Sequence, residues 1–183
     1  TDGKWSLNLP TLSEGANQVS VTILDLAGNQ SPVSAAFTVQ LDTQAPSAPV
    51  ITGISSDTGR SALDYITKST AFSLLVTAEP GSKVEAILNG NVVASAIADG
   101  SGNALVALTG LTAGNLSFTA RSTDISGNVS VASQAQVVTI DTAAPASPTG
   151  LGIVNDTGAS STDGITRDAG IIVKGRAEAD STV

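Results

Sequence analysis

The sequence predicts an all-β protein built from a repeated unit, and three observations lead to that prediction. First, blocks of residues recur at a constant spacing of 99 positions, with no gap. Second, short apolar runs alternate with polar residues and end at Gly, Asn, Asp or Pro, which is typical of β-strands joined by turns. Third, no apolar period of 3.6 residues is sustained, so we expect no helices.

The repetition is clearest in the segment between successive units. Residues 41–46 read Leu-Asp-Thr-Gln-Ala-Pro, and residues 140–145 read Ile-Asp-Thr-Ala-Ala-Pro. The same spacing relates four further pairs of acidic residues: Asp25 and Asp124, Asp57 and Asp156, Asp64 and Asp163, and Glu79 and Glu178. We therefore expect a complete repeat at 43–141, preceded at 1–42 by the C-terminal part of another repeat and followed at 142–183 by the N-terminal part of a third.

A unit of about 100 residues with short strands has the size of an immunoglobulin-like β-sandwich. We expect tandem Greek-key sandwiches of 99 residues in an extended array, with strands A to G of the complete repeat near 50–54, 71–77, 83–88, 92–97, 104–108, 116–121 and 135–140.

The alternation in the sequence supports these strands in turn. In strand B, Phe72, Leu74 and Val76 alternate with more polar positions. The third repeat has Lys174 at the position equivalent to Leu75, so we expect one face of the strand to be buried and the other solvated. Strand C runs to the hairpin dipeptide at 89–90, which is Asn-Gly. Strands F and G follow from the apolar runs at 116–120 and 137–140.

Composition excludes several classes of function. The chain has no His and no Cys, so a Ser-His-Asp triad, a Cys nucleophile and a soft-metal site are excluded. Paired carboxylates can hydrolyse glycosides without either residue, but the acids here are predicted at the ends of the sandwich rather than in a cleft, so we expect no enzyme. A formal charge of −8, from 16 acidic and 8 basic residues, argues against nucleic acid as a partner. No run of eighteen apolar residues exists, so we expect no membrane insertion.

The acidic residues fall mainly at strand ends and turns. In a Greek-key sandwich, the A–B loop lies beside the exit of strand G, which predicts that Asp57 and Asp64 lie near Asp141. The B–C and F–G loops lie at the opposite end, where the chain enters from the preceding repeat. We therefore expect Glu79, Asp124 and Asn128 near Asp42, and Glu178 at the next junction.

Carboxylates that crowd at one point repel each other unless a cation joins them. Ca²⁺ takes six to eight oxygen ligands from Asp, Glu, Asn, backbone carbonyls and water, and turns rich in Asp, Asn and Gly supply that mixture. The candidate ligands are therefore Asp42, Glu79, Asp124, Asn128, Asp57, Asp64, Asp141 and Glu178. The alternative is ordinary turn chemistry, because Asp and Asn side chains hydrogen-bond the local backbone in turns.

The joining segment is short and stiff. Each copy carries two prolines three residues apart, at Pro46 and Pro49 and again at Pro145 and Pro148. Proline fixes φ and restricts the residue before it, so the segment favours neighbouring repeats held nearly in line.

These motifs resemble the bacterial Ig-like tandem repeats of giant biofilm-associated adhesins exported by type I secretion. The resemblance rests on Ile-Asp-Thr-x-x-Pro, Asp-Thr-Gly, Asp-Gly-Ile-Thr, Ala-Glu-x-x-Ser-x-Val and Asp-x-x-Gly-Asn, and it covers the whole chain. It implies an extracellular stalk on the bacterial cell surface that binds Ca²⁺ in or between domains and has its neighbouring repeats as partners. Where the third repeat has Gly164, the complete repeat has Tyr65, which leaves the shape of that turn open.

A second function belongs to a different class. One face of a repeat could recognise a glycan or a host surface, which would make the chain an adhesive module rather than a spacer. Sugar sites use aromatic platforms, and the chain has only five aromatic residues, which are not repeated.

Overall fold

The computed structural model describes residues 3–183, and every regular element in that range is a β-strand. The chain divides into two compact units, and the boundary between them follows Asp141. The first contains the strands β1 to β10, and the second contains β11 and β12. The strands are β1 (Gly15–Val19), β2 (Phe37–Leu41), β3 (Val50–Ile54), β4 (Ile66–Thr67), β5 (Phe72–Thr77), β6 (Lys83–Leu88), β7 (Asn91–Ile97), β8 (Asn103–Leu108), β9 (Gly114–Thr123), β10 (Gln136–Ile140), β11 (Thr149–Ile153) and β12 (Val173–Arg176).

The first unit contains a two-sheet sandwich between Val50 and Ile140. One sheet has the order β3-β5-β8, and the other has the order β4-β10-β9-β6-β7. All pairings are antiparallel except that of β4 with β10, which is parallel. The predicted all-β immunoglobulin-like fold is confirmed, and all seven predicted strands are present within two residues of their expected ends.

Two details differ from the prediction. The two-residue strand β4 is not among the seven, because Ile66-Thr67 is too short to show an alternating pattern. The predicted strand D, β7, pairs with β6 and so takes the C′ position in the larger sheet. The hairpin at Asn89-Gly90 explains this pairing: its residues have φ of 52° and 79°, which suits a tight turn between neighbours in one sheet.

The core is made mostly of small aliphatic side chains from both sheets. Leu74, Val84, Val106 and Val138 are fully buried, and so is Phe118, whose ring meets that of Phe72 edge to face at 6.3 Å between centroids. The alternation predicted for β5 is confirmed, with positions 72, 74 and 76 buried and the intervening positions partly exposed.

The remaining parts form separate hairpins. Within the first unit, β1 pairs antiparallel with β2 in a two-stranded sheet. In the second unit, β11 pairs antiparallel with β12, with an irregular register between Thr149 and Gly152. The boundaries between repeats at 42/43 and 141/142, and the 99-residue length of one repeat, stay predictions from the sequence.

The turn after β7 supplies a stringent test of this packing. Gly102 has φ of +83°, and a Cβ built there would lie 2.5 Å from the backbone oxygen of Ala78. We expect Gly102→Ala to lower the free energy of unfolding by about 3 kcal/mol or more, because a left-handed conformation and a backbone clash add together. Urea unfolding of the full chain measures this.

Gly100, two residues earlier in the same turn, is the matched control. Its Cβ would meet nothing within 4 Å, and its φ is not in the left-handed region. Gly100→Ala should therefore stay within about 0.5 kcal/mol of the unsubstituted chain. Equal effects of the two substitutions would contradict the close approach of the two loops.

Candidate metal site and repeat junction

The loop between β3 and β5 is closed by its own acidic side chains. Asp57 accepts a hydrogen bond from the backbone N–H of Tyr65 through Oδ2 at 3.0 Å. Asp64 accepts one from the N–H of Ile66 through Oδ1, also at 3.0 Å. These carboxylates therefore satisfy two backbone donors at the start of β4.

The second unit repeats this loop. Asp156 accepts from the N–H of Gly164 at 3.0 Å, and Asp163 accepts from the N–H of Ile165 at 3.0 Å. The hydroxyls of Thr157 and Thr166 lie 2.9 Å apart, as those of Thr58 and Thr67 do at 3.0 Å. Equal sequence spacing thus produces equal hydrogen bonding.

Tyr65 adopts the same left-handed conformation as the glycine it replaces. Its φ is 61°, and that of Gly164 is 74°. The hydrogen bond to Asp57 holds the backbone in this region, and the partly buried side chain packs against the core. The turn keeps its shape at the cost of some backbone strain.

One oxygen in each of these loops has no partner. Asp57 Oδ1 and Asp156 Oδ1 are buried and accept no hydrogen bond. An unpaired buried carboxylate oxygen costs free energy, and a cation coordinated to it would remove that cost. This is the feature of the structure that fits the predicted Ca²⁺ chemistry most directly.

The exit of β10 lies beside the same loop, as predicted. The N–H of Asp141 donates to the carbonyl of Thr67 at 2.9 Å, and the N–H of Thr139 donates to that of Tyr65 at 2.9 Å. Asp141 lines a pocket with Thr58 and Lys68, but neither Asp57 nor Asp64 lines it.

In the second unit both acidic residues of the loop face one cavity. A pocket of about 400 Å³ is lined by Asp156, Asp163, Gly164 and Lys174, among others. The two carboxylates are hard oxygen donors of the kind that Ca²⁺ prefers. Lys174, which also lines the pocket, carries a competing positive charge.

The loop after β9 is a second turn organised by a carboxylate. Asp124 Oδ1 accepts from the N–H groups of Ser126 and Asn128 at 2.9 and 2.8 Å, and Oδ2 accepts from Asn128 Nδ2 at 2.9 Å. Burial of the Asp124 carboxyl raises its pKa. The hydrogen bonds that it accepts from Asn128 and Ser126 lower the pKa by more, so the pKa lies below its ordinary value of 3.8. Asp25 and Asn29 make the same three-bond arrangement one repeat earlier.

This loop contacts the joining segment directly. Ser126 Oγ donates to Asp42 Oδ2 at 3.1 Å, and Asn128 Nδ2 donates to the Asp42 carbonyl at 3.1 Å. From the other side, Glu14 accepts from the N–H and the hydroxyl of Thr43 at 3.0 and 2.8 Å. The segment at 42–43 is therefore held from both sides by side chains.

Two predicted ligands stay apart from these contacts. Glu79 and Glu178 are exposed, and each uses its backbone carbonyl to accept two hydrogen bonds from a serine three residues later, Ser82 or Ser181. Across residues 3–183, no group of three or more Asp, Glu, His or Cys side chains is placed to hold a metal ion. The structure thus joins Asp42 to the loop of Asp124 and Asn128, and it places Asp141 beside the loop of Asp57 and Asp64, without gathering the carboxylates.

Sequence reasoning missed a set of serines that hold the segment before β10 against β9. The hydroxyls of Ser130 and Ser133 accept from the N–H groups of Ser122 and Ala120 on β9, at 2.9 and 2.8 Å. Ser31 and Ser34 do the same for Ile23 and Val21. The 99-residue spacing of these two Ser-x-x-Ser pairs is the signal that could have revealed them.

Comparison with known families decides the identity of the sandwich. A family model described as a bacterial Ig-like domain matches residues 45–142, which is more than half of the chain. The chain belongs to the bacterial Ig-like domain family. The resemblance to bacterial Ig-like domains that the repeated motifs indicated is thereby confirmed.

Two solved structures are similar to this bacterial Ig-like chain. One is the BSP domain of a biofilm-associated protein, with 19% identity and a TM-score of 0.40, covering 72% of this chain and 20% of that one. The other is a tetra-tandem repeat in the extending region of a large adhesion protein, with 20% identity and a TM-score of 0.42, covering 80% of this chain and 36% of that one. No curated protein matches. In the part of the chain that the structure describes, no helix is long and apolar enough to cross a membrane.

The lowered pKa of Asp124 predicts how the free energy of unfolding changes at acidic pH. A carboxyl whose pKa is lowered by folding stabilises the fold above its unfolded pKa, and this contribution disappears as the pH falls through the folded pKa. We expect the free energy of unfolding to decrease as the pH drops below about 4. Asp124→Asn should be less stable at pH 7 and should show a shallower fall between about pH 4 and pH 2. Urea titrations at each pH measure this, and parallel curves for the two proteins would contradict it.

Proposed function

We propose that this chain is a structural extender, or stalk, segment of a bacterial cell-surface adhesin that supports cell adhesion and biofilm formation. Membership of the bacterial Ig-like family and the recurrence of motifs along the chain support an array of similar domains. Its partners are then the neighbouring repeats of the same chain, and its location is extracellular. We propose no catalytic role.

The single observation that carries this proposal is the restraint on the joining segment. A spacer transmits length and force only when its links do not fold back, and the Asp42-Thr43 link is hydrogen-bonded both to Glu14 and to the loop of Ser126 and Asn128. Pro46 and Pro49, which follow, are both buried. Proline rigidity and these hydrogen bonds limit rotation at the link.

We further propose that Ca²⁺ binds at the junctions and adds to this restraint. Asp57, with its unpaired buried Oδ1, is the best-supported ligand, and Asp64 and Asp141 belong to the same end of the sandwich. Glu178 belongs to the following repeat, and Asp42, Glu79, Asp124 and Asn128 are the candidates at the other end. A bound Ca²⁺ would neutralise carboxylate charge, and its affinity is expected in the range of about 10⁻⁴–10⁻³ M usual for extracellular modules.

The restraint on the link can be measured without calcium. Glu14→Ala removes both acceptors of Thr43, so we expect the Thr43 amide to exchange with solvent at least about tenfold faster, as for an amide that loses its only local protection. Hydrogen-exchange NMR in EDTA reports this. Glu79→Ala removes a carboxylate of the same size that makes no side-chain hydrogen bond, and it should leave the Thr43 rate unchanged. An unchanged rate in Glu14→Ala would contradict the restraint.

The calcium proposal has its own test. Millimolar Ca²⁺ should raise the melting temperature of the full chain, since a ligand that binds only the folded state stabilises it, and EDTA should reverse the effect and reduce the radius of gyration in solution scattering. Asp57→Asn combined with Asp156→Asn keeps an acceptor for the N–H groups of Tyr65 and Gly164 but replaces both free oxygens, so this double variant should lose most of the calcium response. Asp99→Asn, in a turn outside the candidate set, should keep it. Melting and scattering profiles that are identical with Ca²⁺ and EDTA would contradict the calcium proposal. The stalk proposal is tested separately by the hydrogen-exchange experiment.

A further inference from the structure

A fully exposed aliphatic side chain recurs at the tip of the turn that follows β9. Ile125 is 98% exposed, and Leu26, which stands 99 residues earlier in the equivalent turn, is also fully exposed. A single exposed aliphatic residue on a protein surface needs no explanation. An aliphatic residue at the same position of two repeats, in a turn that is otherwise polar, indicates a surface that meets a partner.

The turn of Ile125 lies against the link between two repeats. The residue that follows it, Ser126, donates from Oγ to Asp42 Oδ2 at 3.1 Å, and Asn128 Nδ2 donates to the Asp42 carbonyl at 3.1 Å. Ile125 is therefore held one residue away from a contact with the end of the preceding repeat.

The residue equivalent to Asp42 at the other end of the complete repeat is Asp141, and it borders a pocket. The N–H of Asp141 donates to the carbonyl of Thr67 at 2.9 Å. The pocket has a volume of about 390 Å³ and is lined by Thr58, Gly59, Ile66, Thr67, Lys68 and Asp141. Because the repeats recur every 99 residues, the same pocket of a complete preceding repeat would lie beside Asp42. Residues 1–42 correspond to 100–141 of the complete repeat, so they do not include it.

The residues that line this pocket recur in the neighbouring repeats. Each has an identical counterpart 99 residues away, except that Lys68 corresponds to Arg167. The two threonine hydroxyls lie 3.0 Å apart, which gives them a role inside their own loop. Ile66 and Ile165 are 48% and 70% exposed, so burial in the core does not explain why they recur. An exposed apolar wall with a cation beside it is thus a repeated feature of this end of the sandwich.

The charges on the two surfaces are complementary. The chain has 8 basic residues against 16 acidic ones, so a cation that recurs at one position stands out. Lys68 lines the pocket, and the turn of Ile125 carries the carboxylate of Asp124. Opposite charges on loops that face each other favour their approach and fix its direction.

We propose that the aliphatic side chain at position 125 of each repeat enters the pocket of the preceding repeat, against Ile66 and the aliphatic stem of Lys68. This contact defines the partner surface of the proposed stalk and rests on that function, since it requires two complete repeats in succession. It runs head to tail and uses different surfaces on the two repeats, so it can continue along an array. It buries few side chains, and the link maintains it by holding the two surfaces at a high effective concentration.

The contact can be tested in a chain lengthened by one period, in which residues 43–141 occur as two successive copies. Asp141 of the first copy is then followed by Thr43 of the second, which reproduces the Asp42-Thr43 link. Since the chain has no cysteine, Ile125→Cys introduces a single thiol into either copy. In the second copy this thiol follows a complete pocket, whereas in the first copy it follows residues 1–42, which lack one. We expect the second-copy thiol to react with iodoacetamide at least about tenfold more slowly, since a buried group is reached only through local opening.

A substitution in the pocket identifies the surface that covers position 125. Ile66→Asp in the first copy should raise the reaction rate of the second-copy thiol to that of the first-copy thiol, because a carboxylate in the wall removes the apolar contact. The same substitution in the second copy changes β4 to the same extent but leaves the pocket before the thiol intact, so the rate should stay low. Circular dichroism spectra verify that each variant is folded.

All rates are measured in EDTA, so they do not depend on calcium. Equal rates for the two thiol positions would overturn the proposal, and so would protection that survives Ile66→Asp in the first copy or is lost equally with Ile66→Asp in the second. Exchange of the Thr43 amide is measured in the 183-residue chain, so the stalk proposal can fail or stand independently of this contact.

Discussion

The structure depends on short polar side chains that take over backbone hydrogen bonds where the β-ladder stops. A buried or half-buried N–H without a partner costs about as much as a lost hydrogen bond, and this sandwich has many turns for its size. Asp57, Asp99 and Asp124 each accept backbone donors within their own turn, and Ser130 and Ser133 accept those of β9 where the neighbouring segment leaves the sheet. Since the core holds small aliphatic residues and one aromatic pair, these local bonds determine the conformation of the loops.

This explains how far the sequence predicts the fold. Alternation at Phe72, Leu74 and Val76 specifies a half-buried strand unambiguously, because a slip of one residue would expose the apolar set. The strand β4 escapes prediction because its two residues pair through the loop geometry set by Asp57 and not through any pattern of their own. The sheet to which β7 belongs also depends on two effects. The tight Asn89-Gly90 turn is local and can be predicted from the sequence, whereas the competition between β6 and β8 for pairing with β7 depends on the tertiary structure.

The candidate metal site was predictable only in part, for a related reason. Topology places the exit of β10 beside the loop of Asp57 and places Asp42 beside the loop of Asp124, and both follow from strand order alone. Which oxygens remain free does not follow from strand order, because Asp, Asn and Ser can satisfy a backbone N–H or a cation with the same atoms. In the loop of Asp124 the turn uses both carboxylate oxygens, whereas in the loop of Asp57 it uses one and leaves the other buried and unpaired. The capacity for a cation therefore belongs to individual atoms rather than to the acidic character of the loops.

The distribution of charge connects the two ends of a repeat with its edge. The acids lie mainly in turns at the ends, where they fix loops and the link at Asp42, and this leaves the long edge of β7 neutral. An array of such repeats would be acidic at each junction and neutral between junctions.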